Sequence, residues 1–202
     1  MRHSSVGQPS PGPPGPSLSH VDHEGAARMV DVSDKAVTAR EAVARGRIVV
    51  APSAMRLVRA GHLRKGGVVE VARLAGIMAA KRTAEAIPLC HPLPLTHVDV
   101  DLAPRRDGFV IEARVRTEAK TGAEMEALHA VAVAALAVYD MVKAADRAMT
   151  IGEIRLVRKT GGRSGEYRRH SERPPSARSR GIRRTQDPRR IPRRPAGRSS
   201  SG

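Results

Sequence analysis

From Ala130 to Tyr139 every residue is apolar and half are alanine, the densest hydrophobic stretch in the chain. It lies inside TGAEMEALHAVAVAALAVYDMVK, residues 121–143. Thr121 followed three residues later by Glu124 predicts a capping box and a helix start. A helix apolar nearly all round must be buried, and its small side chains admit close neighbours. Polar residues remain only at its ends: Glu124, Glu126 and His129 at the start, Asp140 and Lys143 at the finish. Fourteen residues separate Glu126 from Asp140, which places them within about 40° of one face but ~21 Å apart along the axis. One small ligand cannot easily touch both ends of one helix. If both ends serve one site, a second copy of the chain must supply one of them. On spacing alone, Asp140 and Lys143 read first as a solvated i,i+3 pair worth a few tenths of a kcal/mol.

The remaining pattern falls into short blocks. Ala27–Val32 is a strand candidate. Residues 33–46 fit a helix capped by Ser33 or an alternating strand through Val37, Ala39, Glu41 and Val43, and strand is the reading taken. Arg47–Val50 extends it until Pro52 breaks the pattern. After Lys65, Gly66 and Gly67, the run VVEVARLAGIMAAKRTAEA predicts a helix that ends before Pro88. Its Ala72, Gly76 and Ala80 form a small-residue stripe, and the glycines at its start leave backbone donors open to an anion. Residues 95–118 alternate as a hairpin about Asp107–Gly108, and Ile151–Lys159 reads as a last strand with Ile154 and Leu156 inward. The order strand, helix, strand, strand, helix, strand is the split βαβ plan of an α+β domain: an antiparallel sheet covered on one face by two helices.

Composition trims the chain. Residues 1–17 carry proline at 9, 11, 13, 14 and 16, too little apolar content to offset the entropy of ordering. The C-terminal segment is an Arg-rich tail: residues 168–202 hold twelve Arg against Glu172 and Asp187, a net of +10 out of +16. Three domains of the sequence are therefore expected: a disordered tail 1–17, a folded domain 18–165 and a disordered tail 166–202. About +5 is left on the folded part, suited to an anionic ligand rather than a nucleic-acid surface. Aromatic residues number only three, Phe109, Tyr139 and Tyr167, which argues against base stacking. The Arg-rich tail is the one segment suited to nucleic acid, and an extension without function accounts for it equally well. Cys90 is the single cysteine, so no intramolecular disulfide can form. No signal-peptide pattern opens the chain and no apolar run reads as a membrane span, so a cytoplasmic protein is expected.

The stretch IPLCHPL, residues 87–93, is stiffened by its prolines and presents Cys90 and His91 on extended backbone. No second ligand pair such as CxxC completes a four-ligand set, so no metal site is expected. His91 is suited to proton transfer or to a hydrogen bond with substrate.

Five collinear segments resemble the cyclic pyranopterin monophosphate synthases, the MoaC family of molybdenum cofactor biosynthesis: MVDVSDK at 29–35, LRKGGVVEVARLAGIMAAKRT at 63–83, IPLCHPL at 87–93, TGAEMEAL at 121–128 and YDMVKAAD at 139–146. The resemblance runs from about His20 to Gly165. It implies a ferredoxin-like fold and a homohexamer built as a trimer of dimers with sites at subunit interfaces. It further implies a phosphorus–oxygen lyase that converts 3',8-cyclo-7,8-dihydroguanosine 5'-triphosphate to cyclic pyranopterin monophosphate and pyrophosphate. The substrate would come from a radical S-adenosylmethionine GTP cyclase, and no metal or organic cofactor is implied.

Carried over residue by residue, the resemblance makes Asp140, Lys143 and Lys65 catalytic. It makes Leu89, Cys90, His91, Met125 and Glu126 substrate-binding, and places Arg40, Lys81, Thr121 and Lys159 in segments that line the pocket. The chain departs from the family pattern at Gly67, Ala119 and His129, where the family carries aspartate, glycine and threonine. Ring opening and closure need groups that exchange protons near neutral pH, which a lysine beside a carboxylate can do. Displacing pyrophosphate needs cations, and Lys65, Arg40 and Lys81 suit that work. Asp140 is expected to orient Lys143 as acid and base while Lys65 grips phosphate or shares the proton traffic. The competing readings are an RNA-binding module on the same plan, disfavoured by the scarcity of aromatics, and a catalytically impaired scaffold, disfavoured because Lys65, Asp140 and Lys143 are all present.

Overall fold

The computed structural model describes residues 21, 24–61, 67–163 and 165–169. Lys65, residues 1–17 and nearly all of the Arg-rich tail lie outside the described residues.

Strand β1, Thr38–Val49, pairs antiparallel on both sides. That double pairing settles the ambiguous stretch as a central strand, but only from Thr38 onward. Ala27–Val32 is not a strand: Ala27 makes a single bridge to Val21, and the following residues pair with nothing in the sheet. Pro52, read from sequence as a stop, instead opens helix α1, Pro52–Arg59. Proline is tolerated at a helix start because its missing N–H would have had no partner there.

Helix α2, Val68–Lys81, and the short α3, Thr83–Ala86, divide the helix predicted as continuous. Strands β2, Leu95–Arg105, and β3, Gly108–Ala119, form the expected hairpin. Helix α4 spans Glu124–Val142 and is followed by β4, Thr150–Thr160, and β5, Tyr167–Arg168. The sheet order is β2-β3-β1-β4-β5, antiparallel throughout. This is the split βαβ, ferredoxin-like α+β arrangement with one short edge strand added.

α4 lies on β1, β3 and β4, while α2 packs between α4 and β2. Ala127, Ala130, Val131, Ala134, Ala135 and Val138 of α4 are fully buried against Ala42, Ala44, Ile48, Ile111, Ala113 and Val115 of the sheet. Among the described residues α4 alone is long and apolar enough to cross a membrane, yet half of it is buried in this core. The small-residue stripe works as predicted. A Cβ on Gly76 would stand 2.9 Å from the Ala130 carbonyl oxygen and 3.3 Å from the Ala134 Cβ, so glycine sets how closely the two helices approach.

Two local expectations fail. α4 begins at Glu124 with Ala123 as its N-cap and no side-chain cap; there is no capping box, because Glu124 accepts instead from Lys159 Nζ at 2.9 Å. Ile154 is exposed rather than inward. β4 shifts register against β1 between Arg45 and Arg47, and Glu153 takes a positive φ of 55°; the extra residue breaks the alternation there. Leu156 does pack against the core.

Candidate functional site

Two cavities adjoin at the loop that leads into α4, sharing Thr121, Gly122 and Glu124. The first, about 780 Å³, is lined by Lys35, Arg40, Lys120, Lys159 and Arg163, with only Asp34 and Glu124 to oppose them. Sheet order builds it. Arg40 opens β1, Lys120 follows β3, and Lys159 closes β4, so three remote segments deliver cations to one end of the sheet.

Arg40 is held in place by its Nε and Nη2, which donate to the Ala119 and Lys120 carbonyls at 3.0 Å each. Behind it, Gly161 and Gly162 turn with φ of 89° and 72°. A Cβ on Gly162 would run into the Arg40 guanidinium, and one on Gly161 into the Ala39 carbonyl. Glycine is required there twice over, by conformation and by space. Lys120 Nζ donates to the Ser33 carbonyl at 2.6 Å.

The second cavity, about 670 Å³, is lined by Ile87, Pro88, Leu89, Cys90, His91 and Met125, with Ala27 at its edge. The IPLCHPL segment thus forms one wall and the first turn of α4 the other. A third, smaller cavity of about 150 Å³ lies behind this wall, bounded by Lys81, Arg82, Thr83, Leu93 and Glu126. Glu126 is only 2 % exposed. Its Oε1 accepts from the Cys90 thiol at 3.7 Å, while Oε2 has no partner among the described residues. Burial, the largest influence, pushes the Glu126 carboxyl up from its ordinary value. Burial and the neighbouring Glu126 likewise raise the Cys90 thiol to about 11. The thiol is therefore a hydrogen-bond donor and not a nucleophile at neutral pH. Thr83 Oγ1 and His129 Nδ1 lie 3.2 Å apart and tie α3 to α4.

The sequence-derived residues divide into two groups. Arg40, Thr121 and Lys159 line the cationic cavity; Leu89, Cys90, His91, Met125 and Thr121 line the apolar one. Glu126 and Lys81 border the small cavity behind. Asp140 and Lys143 stand at the opposite end of α4, Lys143 Nζ donating to Asp140 Oδ1 at 2.6 Å with both side chains more than half exposed. Within one chain that pair has the solvated i,i+3 form its spacing suggested. Sequence reasoning passed over Lys35 and Lys120 and read Glu124 only as a cap. The signal for Lys120 was its place beside Thr121. Among the described residues no group of three or more His, Cys, Asp or Glu side chains is arranged to hold a metal ion.

Comparison with known proteins matches residues 29–162 to the family model described as "MoaC family". The chain belongs to the MoaC family. Its MoaC relatives include the cyclic pyranopterin monophosphate synthase of Thermomicrobium roseum, 60 % identical over 157 residues, 77 % of this chain and 95 % of the relative. That of Parvibaculum lavamentivorans is 59 % identical over 153 residues, 75 % of this chain and 96 % of the relative. That of Methylobacterium nodulans is 62 % identical over 154 residues, 75 % and 96 % respectively. The MoaC match takes in the Asp140–Lys143 pair and the lining of both larger cavities except Ala27 and Arg163.

Proposed function

We propose that this chain is a cyclic pyranopterin monophosphate synthase acting in molybdenum cofactor biosynthesis. It would convert 3',8-cyclo-7,8-dihydroguanosine 5'-triphosphate to cyclic pyranopterin monophosphate and pyrophosphate. The observation that carries this reading is the pairing of a five-cation cavity with an apolar one across Thr121–Gly122–Glu124. A molecule with a polyphosphate at one end and a flat heterocycle at the other needs both. Arg40, Lys159 and Lys120 hold the triphosphate and stabilise charge on departing pyrophosphate. Leu89, Cys90, His91 and Met125 hold the ring system, and Glu126 supports Cys90 from behind.

Proton transfer falls to Lys143, oriented by Asp140 through the 2.6 Å contact, with Lys65 as the second lysine and Lys81 on the phosphate side. Both ends of α4 serve one substrate only if two copies share each site, which fits a hexamer built as a trimer of dimers. The working domain is residues 18–165, its substrate comes from a radical S-adenosylmethionine GTP cyclase, and it acts in the cytoplasm.

The test is to give purified protein the cyclised GTP triphosphate and follow cyclic pyranopterin monophosphate and pyrophosphate by mass spectrometry, with and without residues 168–202. Stoichiometric release of both products supports the reading. Intact substrate after incubation with folded protein overturns it.

A further inference from the structure

The segment that precedes β1 reaches both large cavities without belonging to a helix or strand. Ala27 stands at the edge of the apolar cavity, while Asp34, Lys35 and Ala36 line the cationic one. From residue 24 to residue 37 only Val30 and Val32 are partly buried. So little burial cannot by itself hold a segment against the entropy of loosening it. Polar contacts set its shape instead. The Ser33 amide donates to Asp31 Oδ1 at 2.8 Å and the Lys35 amide to the Val32 carbonyl at 3.1 Å, which closes a tight turn.

Lys120 ties that turn to the body of the domain. Its Nζ donates to the Ser33 carbonyl at 2.6 Å, across 87 residues of sequence. The lysine is itself anchored, because Arg40 donates from Nη2 to the Lys120 carbonyl and from Nε to the Ala119 carbonyl, each at 3.0 Å. Arg40 in turn lies against Gly162. An ammonium donates three hydrogen bonds, so with one on Ser33 two are left for an anion in the cavity that Lys120 lines. Lys35 follows Ser33 by two residues within the same turn, so the place of one cation depends on the other.

We infer that Lys120, besides adding its own charge, is a positioning residue: by holding the Ser33 carbonyl it fixes the Asp31–Lys35 turn against the cationic cavity, so that Lys35 meets the phosphates of the substrate. This rests on the reading of that cavity as the polyphosphate site and adds to it that two of its cations act as one unit. Without the tie the turn loosens, and ordering Lys35 again subtracts from binding.

The test titrates the full chain with inorganic triphosphate, for the parent, Lys120→Met, Lys35→Met and the double variant, with circular dichroism checking that each folds. Each single change should weaken binding roughly ten- to a hundredfold, the range of one charge-assisted hydrogen bond. The double variant should bind about as weakly as Lys120→Met alone, because removing Lys120 already disables Lys35. Amide exchange of residues 31–36 should quicken in Lys120→Met while that of the β-sheet stays as in the parent, and Lys120→Arg, which keeps a donor, should slow it again. Losses that multiply in the double variant, or exchange unchanged by Lys120→Met, overturn the positioning role and leave the polyphosphate reading standing. A folded parent that does not bind triphosphate overturns that reading and the positioning role with it.

Discussion

Cys90 Sγ lies 3.7 Å from Glu126 Oε1, and that carboxyl is buried behind the wall of the apolar cavity. Burial raises both groups; the nearby Glu126 carboxylate raises the thiol further, whereas the hydrogen bond donated by the thiol draws the carboxyl part of the way back down. Because Cys90 is the single cysteine, a thiol reagent reads this contact alone. Labelling should be slow at pH 8 and accelerate toward the thiol's raised value of about 11. Glu126→Gln removes the neighbouring negative charge and should shift the labelling profile to lower pH. An unchanged profile would show that burial alone sets the thiol.

The same carboxyl makes stability depend on pH. Its folded-state value lies above its ordinary 4.5, so the native state holds the proton more tightly than the unfolded chain. The stabilisation is present in full below 4.5 and is lost as pH rises through the raised folded value. Chemical denaturation of the parent should therefore show a fall in stability across that window which Glu126→Gln lacks.

Lys143→Ala should abolish turnover, by at least ~10² if the lysine acts in general acid–base chemistry. Its ion pair with Asp140 is more than half exposed, so stability should change by less than about 0.5 kcal/mol. Product assays beside thermal melts separate the two effects. Near-parent turnover would remove Lys143 from the mechanism.

Arg40→Lys keeps the charge but cannot reproduce the fork that bonds the Ala119 and Lys120 carbonyls. Lysine is a point charge where arginine is planar and bidentate. Substrate affinity should weaken by ~10-fold or more, with KM raised more than kcat falls, and because the charge is kept the ratio to the parent should change little with ionic strength. Steady-state kinetics at two salt concentrations checks this.

Gly76→Val should destabilise the fold by about 1–3 kcal/mol through overpacking, because a side chain there meets the Ala130 carbonyl and the Ala134 methyl. Urea unfolding should show a lower midpoint at an unchanged slope. A neutral result would mean that α2 and α4 separate freely.

Much of the architecture was legible as periodicity. The hairpin 95–118, the last strand and the cores of α2 and α4 follow from spacings of two and of three or four, which each segment carries within itself. Misreadings occurred where a residue has two possible partners. Thr121 and Glu124 have the spacing of a cap, but Lys159 from β4 claims the carboxylate. Pro52 signals a break, but the break is the first turn of a helix. Ile154 alternates correctly in sequence and is turned outward by a bulge that only the pairing with β1 exposes.

The two ends of α4 and the ~21 Å between them could be counted from residue spacing, since rise per residue is a local constant. Nothing local brings Arg40, Lys120 and Lys159 into one cavity or sets Glu126 behind Cys90. Those meetings follow from strand order and from α2 pressing on α4 through Gly76, which the burial of the whole chain decides.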